Sequence, residues 1–192
     1  MKTTLIKSVK ITILFSLLLG ISYVLILWIF SLLTTSDKGN AELVSCNGKV
    51  VGAANVGQNF TKEIYFWGRP SAVNYTADAS GGSNMSITNK KYLNEVETKI
   101  KEFLVHHPYL KRSQVPIEMV TASGSGLDPD ITPQCAYVQI KRVANARGMN
   151  EENVKKIVEK QIHRPFLGIF GTTRINVLKL NIALEEADKR AK

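Results

Sequence analysis

The sequence holds few of the residues that metal sites and catalytic sites need. It has two cysteines, Cys46 and Cys135, and three histidines, His106, His107 and His163. No C-x-x-C or H-E-x-x-H motif occurs, and the histidines lack ligand spacing, so no metal site is expected. Walker A and G-x-S-x-G motifs are also missing. The sequence therefore offers no nucleophile–base pair on which to predict enzymatic activity, and no catalytic residue is predicted.

Charge is missing altogether from residues 11–33, which contain no Asp, Glu, Lys, Arg or His. Sixteen of these 23 residues are Leu, Ile, Val or Phe. As a helix the stretch spans about 34 Å, enough to cross a hydrocarbon core of about 30 Å. The sequence therefore predicts a transmembrane helix over 11–33, after a short segment 1–10 and before a domain over 34–192.

The charges beside this stretch predict its orientation. Lys2, Lys7 and Lys10 precede it, whereas Asp37, Lys38 and Glu42 nearly cancel after it. The positive-inside rule then places residues 1–10 in the cytoplasm and the domain outside the cell membrane. A cleaved signal peptide is the alternative, but its apolar core is shorter and ends at a small-residue cleavage site.

The part after the helix is long enough for one domain with its own core. It is basic, with 22 Lys plus Arg against 16 Asp plus Glu, but the charges are scattered. No nucleic-acid partner is expected for such a domain outside the cell. That location permits a disulfide, although spacing alone does not establish one, and we expect Cys46 and Cys135 to be free thiols.

The domain reads as α+β, with helices and a few short strands. Asn47-Gly48 between apolar runs predicts a two-residue hairpin over about 42–56. Residues 71–88 read as a long ordered loop, and three- and four-residue apolar steps predict a helix over about 89–106. Residues 115–120 read as a short strand, with Pro116 at its start or on an edge.

The remaining elements are mostly helical. One helix is expected to begin at Thr132-Pro133 and end at Gly148, and the next to begin after Asn150. Residues 175–178 read as a last strand that leads into a terminal helix.

Two segments rich in Gly and Ser, 79–84 and 121–128, are the candidate binding loops. Such loops can turn several backbone N–H groups toward an anion or a partner carbonyl. The alternative is that the glycines serve tight turns. Asp128 and Asp130 read as turn or capping residues.

Several stretches, in this order, resemble the KdpC family, the C subunit of the Kdp potassium-transporting ATPases of bacteria and archaea. They are V-G-Q-N-F at 56–60, Y-F-W-G-R-P-S-A at 65–72, A-S-G-G-S-N at 79–84, V-P-I-E-M-V-T-A-S-G-S-G-L-D-P at 115–129, I-T-P at 131–133, Gln139, R-V-A at 142–144, A-R-G at 146–148 and I-N-V-L-K-L-N-I-A-L at 175–184. The resemblance covers almost the whole chain, including the single amino-terminal span.

The resemblance implies a non-catalytic subunit of an ATP-driven potassium import complex. The expected partners are a potassium-selecting subunit similar to KdpA, an ATPase subunit similar to KdpB and a small subunit similar to KdpF. The family's C subunit is needed for assembly and is described as a catalytic chaperone that raises the ATP affinity of the ATPase subunit. ATP is therefore the implied nucleotide, although an outside domain conflicts with direct contact to cytoplasmic ATP.

The residues expected to contact a partner or nucleotide are Arg69, Ser80, Gly81, Gly82, Ser83, Asn84, Thr121, Ser123, Gly124, Ser125, Gly126, Asp128 and Gln139. An outer lid or brace on the potassium-selecting subunit is the preferred role. Without the resemblance, a membrane-anchored extracellular binding module for an anionic ligand is the alternative. A hydrolase that uses Ser125 or Asp128 is a third.

Overall fold

A computed structural model describes residues 2–35, 38 and 40–191. Asp37, which entered the count of flanking charges, lies outside the described residues. The chain divides into two units, residues 1–42 and residues 43–192.

The first unit is an apolar helical rod. It comprises α1 (Lys2–Leu17), a π-helical turn (Leu18–Ser22) and α2 (Tyr23–Thr34). Its most apolar 18-residue stretch has a mean hydropathy of 2.6 and buries none of its residues within the unit. Exposing so much apolar surface to water is unfavourable. Among the described residues, this is the one helix long and apolar enough to cross a membrane, and it contains the predicted span.

The second unit begins with the predicted hairpin. Strand β1 (Leu43–Cys46) pairs antiparallel with β2 (Lys49–Ala53). Asn47 and Gly48 connect them with φ of +56° and +75°. Positive φ at both positions is the type I′ geometry that Asn-Gly favours, so this prediction is confirmed.

Helix α3 (Lys90–His106) also follows the prediction. The Asn89 side chain caps it by accepting from the N–H groups of Lys91 and Tyr92 at 2.9 and 3.4 Å. Between β2 and α3, residues 54–89 form neither helix nor strand.

The strand predicted over 115–120 is wrong. The chain instead makes two 3₁₀ turns, Arg112–Gln114 and Ile117–Met119. Pro116 precedes the second turn with φ of −66°, and its carbonyl accepts from the Met119 N–H at 3.0 Å. A local i→i+3 bond thus replaces the ladder bonds that a strand would make.

The helix predicted from Pro133 to Arg147 is broken into α4 (Pro133–Tyr137) and α5 (Ile140–Arg147). A continuous helix would bond the Arg142 N–H to the Val138 carbonyl. The Tyr109 hydroxyl stands between these two groups, donating to Val138 O at 2.8 Å and accepting from Arg142 N at 3.2 Å. An inserted side chain of this kind is a known cause of helix breaks.

The last elements assemble the core. Helix α6 (Glu151–Lys160) follows the Asn150 cap, and β3 (Asp130–Ile131) pairs antiparallel with β4 (Ile175–Asn176). Strand β4 is shorter than predicted because Asn176 Oδ1 accepts from the Lys179 N–H at 3.0 Å, so α7 (Val177–Ala191) begins at once. The mixture of helices and short sheets confirms the α+β class. Fully buried core residues come from the loops, α4–α7 and β4, including Phe66, Val143, Val154, Val158, Ile175, Leu180 and Leu184.

A segment without regular structure, residues 63–67, crosses this core and is called the clamped segment below. Two side-chain amides hold its carboxyl-terminal half. Asn181 accepts from the Phe66 N–H at 2.8 Å and donates to the Phe66 carbonyl at 3.0 Å. Gln139 accepts from the Trp67 N–H at 2.8 Å and donates to the Trp67 carbonyl at 3.2 Å. Each side-chain amide thus makes the pair of backbone hydrogen bonds that a neighbouring β-strand would otherwise make.

Two arginines hold the other half of the clamped segment. Arg142 donates to the carbonyls of Glu63 and Tyr65 at 2.6 and 3.0 Å. Arg147 donates to the Ile64 carbonyl at 2.6 Å, and its guanidinium also pairs with Glu185 and Asp188. All five consecutive carbonyls are therefore satisfied by side chains.

Replacing Asn181 by Leu leaves the N–H and C=O of buried Phe66 without partners. Each unsatisfied group costs about 1–3 kcal/mol, so the two together should lower the free energy of unfolding by about 2–6 kcal/mol. Asn145→Leu, at an exposed position of α5, is the matched control and should change stability by less than about 0.5 kcal/mol. Denaturant unfolding of the full chain in detergent measures both. Equal stabilities for the two variants would contradict the clamp.

Candidate functional site

The structure brings the two Gly/Ser loops together. The Gly81 N–H donates to the Ser125 carbonyl at 2.7 Å. A Cβ atom at Gly82 would lie 3.2 Å from the Gly124 carbonyl oxygen, so the two backbones touch there. Loops forty residues apart in sequence therefore form one continuous surface, called the paired loops below. Its solvent-exposed members are Ala79, Ser80, Ser83, Asn84, Gly124 and Ser125.

Gly126 is the position where this pairing depends on glycine. Its φ is +69°, and a Cβ would lie 2.6 Å from Val73 Cγ2 and 2.7 Å from the Gly81 carbonyl oxygen. Any side chain would therefore be strained and would push the loops apart. Gly124 differs, since a Cβ there meets nothing within 4 Å and its φ is ordinary.

The polar groups of the second loop mostly serve its own turns. The Gly126 N–H donates to Ser123 Oγ at 2.9 Å, and the Leu127 N–H donates to Ser125 Oγ at 3.1 Å. Asp128 Oδ1 accepts from the Asp130 N–H at 3.0 Å. Thr121 Oγ1 donates to the Ile117 carbonyl at 2.8 Å. These N–H groups are therefore engaged in the turn and do not form an open cradle for an anion.

Arg69 ties the paired loops to the chain that follows the clamped segment. Its guanidinium donates to Asp128 Oδ2 at 3.3 Å and to the Ala122 carbonyl at 3.4 Å. Its Nε is buried without a partner. The Ser123 N–H donates to the neighbouring Pro70 carbonyl at 3.2 Å.

Tyr75 closes the same region from the long loop. Its hydroxyl donates to the Arg69 carbonyl, and burial together with the nearby Asp128 charge raises the pKa of Tyr75 to about 12. The tyrosine is thus a neutral donor at physiological pH.

An open cavity of about 420 Å³ lies beside Arg69. Its walls combine aromatic rings with charged side chains. They include Phe60, Trp67, Tyr75, Phe103, Arg69, Lys99, Glu102 and His106. Such a lining suits a small planar or anionic molecule. Arg69 is the only predicted site residue among the lining residues of this cavity.

Gln139 does not belong to the paired loops. It is fully buried, and its amide serves Trp67 and the Arg142 guanidinium inside the domain. The sequence prediction missed Arg142, Arg147, His107 and Asn181 as its structural companions. No periodic signal marks Arg142, Arg147 and Asn181, because they bond backbone groups of a distant irregular segment, and His107 is linked to that segment through Arg142.

Arg142 and His107 form a buried pair in which the guanidinium is charged and the imidazole is neutral. Arg142 Nε donates to His107 Nε2 at 3.1 Å, and His107 Nδ1 donates to the Phe103 carbonyl at 2.7 Å. Burial and the adjacent Arg142 charge together lower the pKa of His107 to about 4, against the opposing effect of the hydrogen bond to the Phe103 carbonyl. Burial also lowers the pKa of Arg142 to about 10, so the guanidinium stays charged. It lies 3.9 Å from the centre of the Trp67 ring, a cation–π contact.

Both cysteines are free thiols, as expected. Burial raises the pKa of Cys135 to about 12, so it is not a thiolate at neutral pH. Among the described residues, no group of three or more His, Cys, Asp or Glu is placed to hold a metal ion. Ser125 Oγ accepts from the Leu127 N–H, and the Asp128 carboxylate accepts from the Asp130 N–H and from Arg69. These bonds stabilise turns and do not form a nucleophile–base pair.

Comparison with known proteins decides the family. A family model described as "KdpC: K+-transporting ATPase, c chain" matches residues 5–186. The chain belongs to the KdpC family. It is similar to a protein of Bacteroides fragilis, 61% identical over 97% of this chain and 99% of the relative. A protein of Bacteroides thetaiotaomicron is 63% identical over 95% and 98%. One of Caldanaerobacter subterraneus subsp. tengcongensis is 46% identical over 97% and 96%.

Each of these relatives is named a potassium-transporting ATPase KdpC subunit. The resemblance stated from the motifs is therefore confirmed. The contacts of the predicted site residues with a partner or nucleotide stay predictions.

The neutral His107 predicts a stability that depends on pH. The unfolded chain binds a proton at this imidazole below about pH 6.5, but the folded chain binds it only near pH 4. The neutral His107 imidazole therefore contributes its full share to the free energy of unfolding above about pH 6.5. This share is on the order of 3 kcal/mol and is lost as the pH falls toward 4. We expect His107→Gln to flatten this part of the pH dependence of the unfolding free energy, whereas His163→Gln, at an exposed position, should keep it. Identical pH profiles for both variants would contradict the assignment.

Proposed function

We propose that this chain is a non-catalytic accessory subunit of an ATP-driven potassium import complex, required for its assembly and stability. Its partners in this proposal are a KdpA-like potassium-selecting subunit, a KdpB-like ATPase subunit and a small KdpF-like subunit. The observation that carries the proposal is the match to the KdpC family over residues 5–186 in a chain whose described residues include one membrane-length helix. An N-terminal span with cytoplasmic Lys2, Lys7 and Lys10 would hold the second unit outside the cell membrane.

The paired loops support a role as a brace. Their exposed edge is backed by the Gly81–Ser125 bond and by the Arg69–Asp128 pair, so it presents a preorganised surface to a partner. Preorganisation lowers the entropy that binding must otherwise lose. We infer that this edge rests on the outer face of the potassium-selecting subunit.

In this proposal ATP acts through the ATPase subunit of the complex, and the paired loops do not hold a nucleotide. The N–H groups of Gly81, Gly126 and Leu127 already have partners within the chain. An outside domain and cytoplasmic ATP also lie on opposite sides of the membrane. We infer that any rise in the ATP affinity of the ATPase subunit is transmitted by subunit contacts, which is a coupling between distant sites.

One observation favours a second function, the binding of a small anionic ligand. The cavity beside Arg69 contains Lys99 and His106 together with aromatic rings. A membrane-anchored binding module would bind its ligand as a lone chain and would have no ATPase partner.

Gly126→Ala tests the paired loops, with Gly124→Ala as the matched control. The first adds a methyl group at φ +69° against Val73 and the Gly81 carbonyl, and the second adds it in open space. We expect Gly126→Ala to reduce potassium-stimulated ATPase activity of the purified complex roughly tenfold or more, since a strained backbone position costs on the order of 1–3 kcal/mol. Membrane abundance of each variant, measured by immunoblot, separates loss of the chain from loss of contact. Full activity with Gly126→Ala would remove these loops from the mechanism.

Cysteine labelling tests the orientation. In a Cys46→Ser background, Lys155→Cys on the exposed face of α6 and Thr3→Cys before the span provide one reporter on each side. We expect a membrane-impermeant maleimide to label position 155 in spheroplasts and position 3 only after lysis. The reverse pattern would place the domain in the cytoplasm and would reopen direct ATP contact.

A further inference from the structure

A small apolar projection extends from the second unit between α6 and β4. Backbone bridges join His163 to Arg174 and Phe166 to Phe170, which makes a narrow hairpin-like loop. Leu167 and Gly168 turn the chain with φ of +52° and +75°. We call residues 166–170 the apolar tip. Its large side chains are among the most exposed in the domain: Phe166 72%, Leu167 74%, Ile169 78% and Phe170 65%.

Most backbone N–H groups of the apolar tip donate within the tip or to the adjacent Pro165. The Phe166 and Phe170 N–H groups each donate to the other residue's carbonyl at 2.9 Å. The Gly168 and Ile169 N–H groups donate to the carbonyls of Pro165 and Phe166 at 3.0 and 3.2 Å. Four of the five N–H groups therefore need no water, which lowers the cost of moving this loop into the interfacial region of a bilayer.

Along the sequence, the charges nearest the apolar tip are all positive. From Lys160 to Leu184 the sequence contains no Asp or Glu, while Lys160, Arg164 and Arg174 carry positive charge. Lys160 and Arg164 are exposed, and Arg174, also exposed, pairs with Asp130 at 3.1 Å. We call Lys160, Arg164 and Arg174 the basic collar. Basic side chains next to the apolar tip match a bilayer surface, where anionic headgroups lie above the acyl chains.

The covalent tether keeps the domain near a bilayer. Eight residues, 35–42, join the end of α2 at Thr34 to β1 at Leu43. Eight fully extended residues span at most about 29 Å. A domain whose chain is anchored by the apolar helix can therefore reach the interface of the same membrane.

We propose that the apolar tip inserts into the interfacial region of the anionic bilayer that holds the helix, as a second membrane contact of this chain. Phe166, Leu167, Ile169 and Phe170 enter the boundary between headgroups and acyl chains. Arg164 and Lys160 bind lipid phosphates. The contact limits the rotation of the domain about its tether.

Several features favour lipid over a protein groove as the occupant. The tip is a narrow point with apolar side chains on both of its strands, and residues 166–170 carry no side-chain hydrogen-bonding group. Specific protein interfaces surround an apolar centre with a polar rim that makes about one hydrogen bond per 100–200 Å². A lipid interface requires only apolar area and a basic collar.

Depth-dependent fluorescence quenching tests the proposal on the full chain. In a Cys46→Ser background, with Cys135 buried and unreactive, Ile169→Cys carries an environment-sensitive fluorophore. Lys155→Cys, on the exposed face of α6, carries the same fluorophore as the matched control. Each chain is reconstituted in vesicles of phosphatidylcholine and phosphatidylglycerol with a nitroxide-labelled lipid. We expect roughly twofold or greater quenching at position 169 and little at position 155, because the label at 169 lies within the interface.

Two further variants examine the chemistry of the contact. Phe170→Ser in the labelled chain removes apolar area and should lower the quenching at position 169. Arg164→Gln should weaken the contact roughly fivefold in anionic vesicles and leave it unchanged in pure phosphatidylcholine, because each basic residue near an anionic surface contributes about that factor.

The same label in the purified complex distinguishes lipid from protein. Quenching that persists in the complex supports the bilayer contact. Equal quenching at positions 169 and 155, or quenching at 169 that disappears in the complex, would overturn it. The second result would mean that a partner subunit covers the tip. Neither outcome bears on whether the chain assembles with an ATPase, which co-purification reports separately.

Discussion

Five consecutive backbone carbonyls, from Glu63 to Trp67, accept hydrogen bonds from side chains of distant residues. The clamped segment is neither helix nor strand, yet it carries the fully buried Phe66 side chain into the core. A buried carbonyl without a partner is costly, so such a path requires a donor at every position. Gln139, Arg142, Arg147 and Asn181 supply these donors. The positions of Trp67, Arg69 and the paired loops depend on them.

Several groups surround the buried positive charge of the Arg142 guanidinium. Arg142 contacts the Glu63 carboxylate at 3.5 Å, the Trp67 ring and the neutral His107. Removing one partner from a buried charge is far more costly than removing an exposed pair. The end of α3, the clamped segment and α5 therefore act as one mechanical unit.

Local chemistry explains which features the sequence could predict. The Asn47-Gly48 turn, the Asn150 cap, the apolar period of α3 and the uncharged stretch of the first helix depend on neighbours in sequence, and each appears where it was expected. The break between α4 and α5 depends on the Tyr109 hydroxyl, about thirty residues away. The wrongly predicted strand at 115–120 is a different case, since Pro116 was expected at the start or on the edge of a strand, whereas its carbonyl accepts the local bond of a 3₁₀ turn.

The candidate site was predictable only in its parts. Glycine content marked both loops, but their pairing through Gly81 and Ser125 and the need for glycine at Gly126 arise from tertiary packing. Gln139 was grouped with them through the family resemblance, whereas its amide holds Trp67 within the core. The cavity beside Arg69 draws on α3, whose Lys99 and Glu102 read as ordinary solvated residues of an amphipathic helix.

Purification of the tagged chain from its native membrane in mild detergent, followed by mass spectrometry, tests the central claim most directly. An accessory subunit of a potassium-transporting ATPase should elute with a P-type ATPase subunit and a channel-like subunit. The eluted complex should show potassium-stimulated ATPase activity that is absent from a preparation lacking this chain. Elution as a lone chain without an ATPase would contradict the account and would favour a membrane-anchored binding module.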